Sequence, residues 1–451
     1  MLVMKFGGTS VKNAEAVDRV SGIISARVAE QPIVVVSATG DTTDRLVEIL
    51  DLLDDNKPGA MAIAESIEAK HLALIKEVVT DEAQQNITFE KVQPEIKRLK
   101  DMISAMERLG DVSMRSRDAV QALGERMSAP ILAGSLASRG IDAVSVDPGT
   151  VIATDSTWGA AKPDFAQTQS QCTSVLVPLC KKGQVPVVGG FVGANPKGII
   201  TTLGRGGSDL TASVIARSVA ATGLEFWKDV DGILTADPRI VSDAKPLSEI
   251  TFEEASELTF LGSGVLHPAS IQPAVEAGVP VTVRNSYKQD SPGTKILKSR
   301  APNVDNTTAA SIAYKKNQAL INVYSTRMLG ASGFLRKVFE VFDRLNISVD
   351  HIATSEVNIT VTVDDGDVVP VLAKELEEVA TVTVTHNVAI VSVVGEALRQ
   401  TAGIGSKVFT ALKDINVLFI THSGATTNLS VVLENERLND AITSLHAHLF
   451  G

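Results

Sequence analysis

Two short glycine-rich stretches hold the residues of this sequence best suited to chemistry, and both suit an anion. Lys5-Phe6-Gly7-Gly8-Thr9-Ser10 lies near the start, and Gly204-Arg205-Gly206-Gly207-Ser208-Asp209 lies much further along. Glycines let the backbone curl until successive N–H groups point at one place, and a helix starting there adds the positive end of its dipole. Phosphate is the expected guest. Lys5, at the carboxyl end of a strand-like run and beside Gly7 and Gly8, is placed to meet a phosphoryl group. Arg205 offers a planar fork to a carboxylate or phosphate, and Asp209 falls in the first turn of a helix, where the dipole also favours a carboxylate. Each stretch alone reads equally well as a glycine turn with a polar cap; together they favour a site. No Gly-Lys-Ser or Gly-Lys-Thr closes a Walker spacing, and Asp209 breaks the dinucleotide glycine pattern, so two separate loops must share the phosphates.

The elements around these loops predict how they are held. Leu2 to Phe6 reads as a short buried strand, followed after the glycines by a helix with Val17, Val20, Ile24 and Val28 on its apolar face. Leu210 to Ala221 reads as the helix behind the second loop. Further strands are expected over 33–37, 143–146, 185–189, 198–203, 225–229 and 279–284, alternating with helices. Such alternation predicts an α/β domain over 1–295, a mainly parallel sheet sandwiched by helices, with ligands at the carboxyl ends of the strands. Ser37 and Thr43 follow the second strand, where small hydroxyls can meet a substrate or simply cap a helix. The stretch 59–128 looks almost wholly helical. Within it Glu125 follows Gly124 on an otherwise apolar helix, and an exposed ion-pairing glutamate is the ordinary reading.

Composition bounds the rest. The chain has 451 residues, 44% apolar and 21% charged, with a formal charge of -11. That length suggests about two to four domains. The negative charge argues against nucleic acid or an anionic membrane surface as partner. No apolar run is long enough to span a bilayer or act as a cleavable signal, and Cys172 and Cys180 sit on one expected helix without metal-ligand company. The expectation is a cytoplasmic protein with reduced core thiols and no dedicated metal site.

The opening hexapeptide, the Gly204–Asp209 loop and Trp227-Lys228-Asp229-Val230-Asp231-Gly232-Ile233 through Asp237-Pro238-Arg239 together resemble the aspartate kinases, of the amino-acid kinase superfamily. The resemblance covers essentially the whole chain. It implies transfer of the ATP γ-phosphoryl group to the side-chain carboxylate of L-aspartate, with Mg2+ carried mainly on the nucleotide phosphates. It implies further that Lys5 and Asp209 are catalytic, Asp209 orienting either Lys5 or the metal shell. Lys5, Gly7, Gly8, Gly206 and Gly207 would meet the phosphates, and Ser37, Thr43, Glu125 and Arg205 the aspartate, Glu125 taking its ammonium. Lys228 and Asp229 would lie near the adenosine and Arg239 near the phosphates, with Leu234, Gly264 and Val265 completing the nucleotide contacts. Leu234 and Gly264 replace a tyrosine and a lysine usual in the family. Acetylglutamate or glutamate kinase is the nearest enzymatic rival, and a catalytically dead sensor is the rival of another class. Arg205 speaks against the first, and the joint presence of Lys5, Arg205 and Asp209 against the second.

The stretch 296–317 turns polar and reads as a linker. Beyond it lies an internal repeat: Gly333, Lys337, Val338, Phe339, Asn346, Asn358 and Val361 recur at a constant offset of 70, from Gly403 to Val431. Each copy, 318–386 and 387–451, reads strand, helix, strand, strand, helix, strand and resembles the ACT ligand-binding fold. The resemblance places a feedback amino acid, lysine over threonine, at Met328, Phe334, Leu335, Ser348, Val349, Asp350 and Glu356 of the first copy. Ile420 and Thr426 stand where Asp350 and Glu356 would recur, so the second copy is expected to serve dimerisation. A homodimer or homotetramer joined through these domains is expected. No dinucleotide domain follows the repeat, so the kinase is expected to be monofunctional.

Overall fold

The computed structural model describes residues 1–263, 265–299, 309–399, 401–422 and 427–451. The chain divides into two compact units. The first begins with β1 (Leu2–Phe6), α1 (Ala14–Ser25), β2 (Ile33–Val36) and four helices, α2 (Thr42–Asp54), α3 (Ala60–Val78), α4 (Glu82–Leu109) and α5 (Met114–Gln121). Then come α6 (Leu123–Ala137), β3 (Ala143–Val146), α7 (Phe165–Lys181), β4 (Val185–Gly189), β5 (Val192–Ala194), β6 (Ile200–Thr202), α8 (Gly207–Ser218) and β7 (Gly223–Lys228). After β8 (Glu249–Thr251) and α9 (Phe252–Leu258), the unit resumes with α10 (Pro268–Glu276), β9 (Val281–Asn285) and β10 (Thr294–Leu297).

Eight of these strands form one sheet in the order β3-β4-β2-β1-β7-β9-β10-β8, parallel except where β10 runs against β9. β1, β2 and β4 are fully buried along their length, as strands covered on both faces must be. Val17, Val20 and Ile24 of α1, Leu46, Ile49 and Leu50 of α2, and Met127, Ile131 and Leu132 of α6 join Met4 and Phe6 in one core. Phe6 also stacks on Trp227 of the adjacent strand at 6.1 Å. Cys172 and Cys180 both lie buried and unpaired on α7, where burial pushes the thiols up to about 12 and about 11.

The expected strand 198–203 is shorter and lies outside this sheet. Asn195 and Gly198 close a tight turn, and Ile200–Thr202 pairs back on β5 as a separate two-stranded ribbon. Two segments of 1–295, Leu234–Leu247 and Glu253–Gly264, pack with the second unit. Ala236 and Val241 are buried against residues such as Val391 and Ile442, and the Tyr314 hydroxyl donates to Asp237 at 2.8 Å.

The second unit contains β11 (Ser311–Tyr324), α11 (Phe334–Arg344), β12 (His351–Thr354), β13 (Asn358–Asp364), α12 (Val369–Leu376) and β14 (Thr381–Val394). α13 (Ile404–Ala411), β15 (Phe419–His422), β16 (Asn428–Glu434) and α14 (Leu438–Phe450) follow. Its antiparallel sheet has the order β12-β13-β11-β14-β16-β15. Residues 296–317 are therefore strand at both ends rather than linker throughout, because Ile296 and Ile312 are apolar residues buried in two different cores.

The second repeat also departs from its expected order, since among the described residues no strand comes after α14. The first half of β11 takes that place: Ser311–Lys315 pairs with Ile390–Val394, whereas Gln318–Tyr324 pairs with β13 and with the start of β14. Each long strand thus serves both repeats. Ile312 packs with Val391 and Val431 of the second repeat, and Ile321 with Val338 and Val361 of the first.

Candidate active site

The first unit gathers its charged residues where β1 and β7 end. Lys5 of β1 pairs in register with Phe226 of β7, and α8 begins at Gly207 just beyond the second glycine loop. Gly206 precedes it with φ 72°, a left-handed conformation that favours glycine, and an added Cβ would meet the Ser270 hydroxyl at 2.5 Å. At Gly207 a Cβ would meet the Phe191 ring at 2.6 Å. Gly206 has no side chain to cap α8, and the Gly207 amide donates to the Gly204 carbonyl at 2.9 Å, so an anion here would be met by the amides that follow it in the first turn. Gly8 is equally tight, since a Cβ there would strike the Ala38 carbonyl at 2.8 Å.

Asp209, in the first turn of α8, holds two lysines. Its Oδ1 is 2.6 Å from the Lys5 ammonium and its Oδ2 3.2 Å from that of Lys228. Burial pushes the Asp209 carboxyl up, but the two lysines outweigh it and hold the group below the usual carboxylate range. Both oxygens thus hold lysines. The Lys228 ammonium, expected near the adenosine, rests on this carboxylate.

Lys5, Ser37, Thr43, Glu125, Arg205, Gly206, Gly207 and Asp209 line one cavity of about 470 Å3. Glu125 is buried there, and burial raises its carboxyl to about 8. One carboxylate oxygen, Oε2, has no hydrogen-bond partner among the described residues. This is no exposed ion-pairing glutamate. Gly124 and Gly189 explain its seat: a Cβ on Gly124 would meet that of Ala38 at 2.7 Å, and one on Gly189 the Glu125 carbonyl at 2.9 Å. Arg205 is exposed and makes no ion pair among the described residues.

Several residues escaped the sequence reading. Gln121, Phe191 and Ser208 also line the cavity. Phe191 adopts φ 67°, unusual for a side-chain-bearing residue, and its amide donates to the Thr211 hydroxyl at 2.9 Å. Buried Asp118 accepts from the amides of Gly159 and Thr202 and from the Thr202 hydroxyl at 2.9 Å each, tying one wall of the cavity to β6. Only the flanking glycines signalled the Phe191 bend; nothing in the sequence marked Asp118.

The remaining nucleotide expectations divide. Asp229 is exposed just after β7, and Val265 is half-buried in the first unit. Leu234 and Arg239 fall in the second unit, where the Arg239 guanidinium is committed to Asp237 at 2.6 Å. Gly264 lies outside the described residues. Among the described residues no group of three or more His, Cys, Asp or Glu side chains can hold a metal ion.

In the second unit, Met328, Phe334, Leu335 and Glu356 line a cavity of about 290 Å3 at the start of α11. Ser348, Val349 and Asp350 do not line it. Asp350 is buried and bonded to the Lys315 ammonium at 2.6 Å, so its charge is already answered within the chain. Thr426, the second repeat's counterpart of Glu356, lies outside the described residues.

A parallel sheet with two glycine loops and a buried lysine–carboxylate pair defines a phosphotransferase of the amino-acid kinase class. Residues 1–285 match the amino acid kinase family, and residues 321–374 and 391–449 match the ACT domain family. Across 100% of the chain and 99% of the relative, the sequence is 34% identical to the lysine-sensitive aspartokinase 3 of Escherichia coli strain K12. The structure resembles that of E. coli aspartokinase III in complex with lysine and aspartate, with 32% identity, a TM-score of 0.85 and complete coverage of both chains. The same identity and coverage hold for E. coli aspartokinase III with aspartate and ADP, at a TM-score of 0.81. The chain belongs to the aspartokinase family.

Proposed function

We propose that this aspartate kinase works through the first unit's cavity, transferring the γ-phosphoryl group of ATP to the side-chain carboxylate of L-aspartate. 4-Phospho-L-aspartate and ADP result, the first step of lysine, threonine and methionine biosynthesis. A carboxylate oxygen of aspartate attacks the γ-phosphorus while the bond to the β,γ-bridging oxygen breaks. The nucleophile is ionised at neutral pH, with an unperturbed pKa of about 3.9, so no general base is needed. Positioning and charge neutralisation do the catalysis. Lys5, fixed by Asp209, meets the transferring phosphoryl, and the backbone of the Gly7-Gly8 and Gly206-Gly207 loops cradles the phosphate oxygens. Mg2+ supplies further neutralisation of the nucleotide phosphates when bound.

Glu125 takes the aspartate ammonium, Arg205 a carboxylate, and Ser37 and Thr43 further hydrogen bonds. Supporting this reading above all is the unpartnered, buried Oε2 of Glu125 in the cavity that also holds the Lys5–Asp209 pair. A cation is wanted at one end and an anion at the other, as an amino acid receiving a phosphoryl group provides. A coupled assay of ADP release tests it: turnover that needs aspartate is expected, and ADP release indifferent to aspartate overturns it.

Lysine acts as feedback effector at the second unit's cavity. The α11 amides behind Gly333 hold its carboxylate, Glu356 attracts an ammonium, and a second copy of the chain supplies Ser348 and Val349 across a homodimer or homotetramer interface. The enzyme works in the cytoplasm, in keeping with the absence, among the described residues, of any helix long and apolar enough to cross a membrane. Calorimetric titration with lysine, threonine and methionine tests the effector; threonine binding without lysine binding overturns the choice.

A further inference from the structure

The Lys5–Asp209 pair leaves a third charge to explain. Lys228, the last residue of β7, directs its ammonium to Asp209 Oδ2 at 3.2 Å, opposite the Oδ1 that pairs with Lys5 at 2.6 Å. Strand geometry brings this about. Lys5 registers with Phe226, so Lys228, two residues on, points to the same face of the sheet about 7 Å further along. A lysine arm spans that distance, and both ammoniums converge on the carboxylate presented by the first turn of α8.

Charge counting then points to a ligand. Two cations and one anion leave a local surplus of positive charge, and the side chains of Lys5, Asp209 and Lys228 are only 7%, 10% and 23% exposed. Burying a like-charged pair beside a single carboxylate is costly unless a second anion completes it. The other carboxylate acting on Lys228, that of Asp229, belongs to an exposed residue. The amino-acid cavity is lined by Lys5 and Asp209 but not by Lys228. Lys228 meets the Asp209 oxygen that Lys5 does not, beside a cavity that Gly206 and Gly207 also line.

We propose that Lys228 is a second catalytic lysine, its ammonium touching the transferring phosphoryl group opposite Lys5, with Asp209 as the shared spacer. The proposal rests on reading the first cavity as the phosphoryl-transfer site. Aspartate-dependent ADP release by the parent enzyme tests that reading separately.

Steady-state kinetics of Lys228→Met test the lysine itself. A drop in kcat of roughly a hundredfold is expected, the scale of removing one charged group from the transition state, with KM for aspartate within about twofold. A merely structural Lys228 would act by neutralising Asp209, so the same substitution is made in an Asp209→Asn background. Contact with the phosphoryl group predicts a further loss of about tenfold or more there; a silent second substitution overturns the proposal. Should Lys228→Met fail to fold, Lys228→Cys treated with 2-bromoethylamine restores an ammonium on a thioether arm. Cys172 and Cys180 are buried with raised thiol pKa values and resist the reagent. At least tenfold recovery of kcat on alkylation is expected, and no recovery overturns the proposal.

Discussion

The two cavities lined by the candidate site residues begin alike and end differently. Each opens at a left-handed glycine that starts a helix, Gly206 with φ 72° before α8 and Gly333 with φ 81° before α11, and neither helix has a side-chain cap. In the first unit, buried charges surround that helix start: Lys5, Asp209 and Glu125 all face one space. In the second, Glu356 is the only charged residue lining the cavity among the described residues, and Asp350 is turned to Lys315. A reaction that must stabilise a transition state needs its charges preorganised within one chain. A cavity that reports an effector can leave part of its charge to another subunit, so that binding and subunit arrangement are linked.

The sharpest way to break this contrast is to remove the preorganised charge. Lys5→Ala should lower kcat by about two to four orders of magnitude, measured by coupled ADP release, with a smaller effect on nucleotide binding. Near-normal kcat would put the phosphoryl contact elsewhere. Next in size, Arg205→Ala should raise KM for aspartate by about one to two orders of magnitude more than KM for ATP, because the guanidinium serves the amino acid and not the nucleotide. Equal changes in both constants would mean a collapsed loop instead.

In the second cavity, Glu356→Ala should raise the lysine concentration for half-inhibition by about tenfold, the scale of one exposed charge-assisted hydrogen bond. Inhibition as strong as in the parent would place the effector elsewhere.

The smallest effect is a pH dependence. Burial raises the Glu125 carboxyl to about 8, so below that pH the group is largely protonated and must lose its proton to take an ammonium. KM for aspartate should therefore fall about fivefold as pH rises from 7 to 8, and level off above. Glu125→Gln should flatten the profile while raising KM overall. For stability the sign is opposite. A carboxyl raised in the folded state favours folding while protonated, so Glu125 costs stability progressively as pH rises from the unfolded carboxyl's range toward 8. Thermal melts of Glu125→Gln should lose that decline.

Much of this was legible without coordinates, because some constraints are local. Glycine pairs beside Lys5 and before α8 announce anion loops, since backbone curling and helix starts depend on adjacent residues. Strand and helix periods in 1–295 gave the parallel sheet, and the offset of 70 gave the repeat. Other features depend on partners distant in the chain. Asp118 clamps Gly159 and Thr202, and Lys228 meets Asp209, through contacts that no spacing encodes. Ser311–Lys315 reads as the end of a linker, yet it completes the sheet of the second repeat because the edge of β14 needs a partner. Residue types and their neighbours fixed which chemistry is available; only tertiary structure decided which charge faces which, because the burial and pairing that set a carboxylate's state are made by residues far apart in sequence.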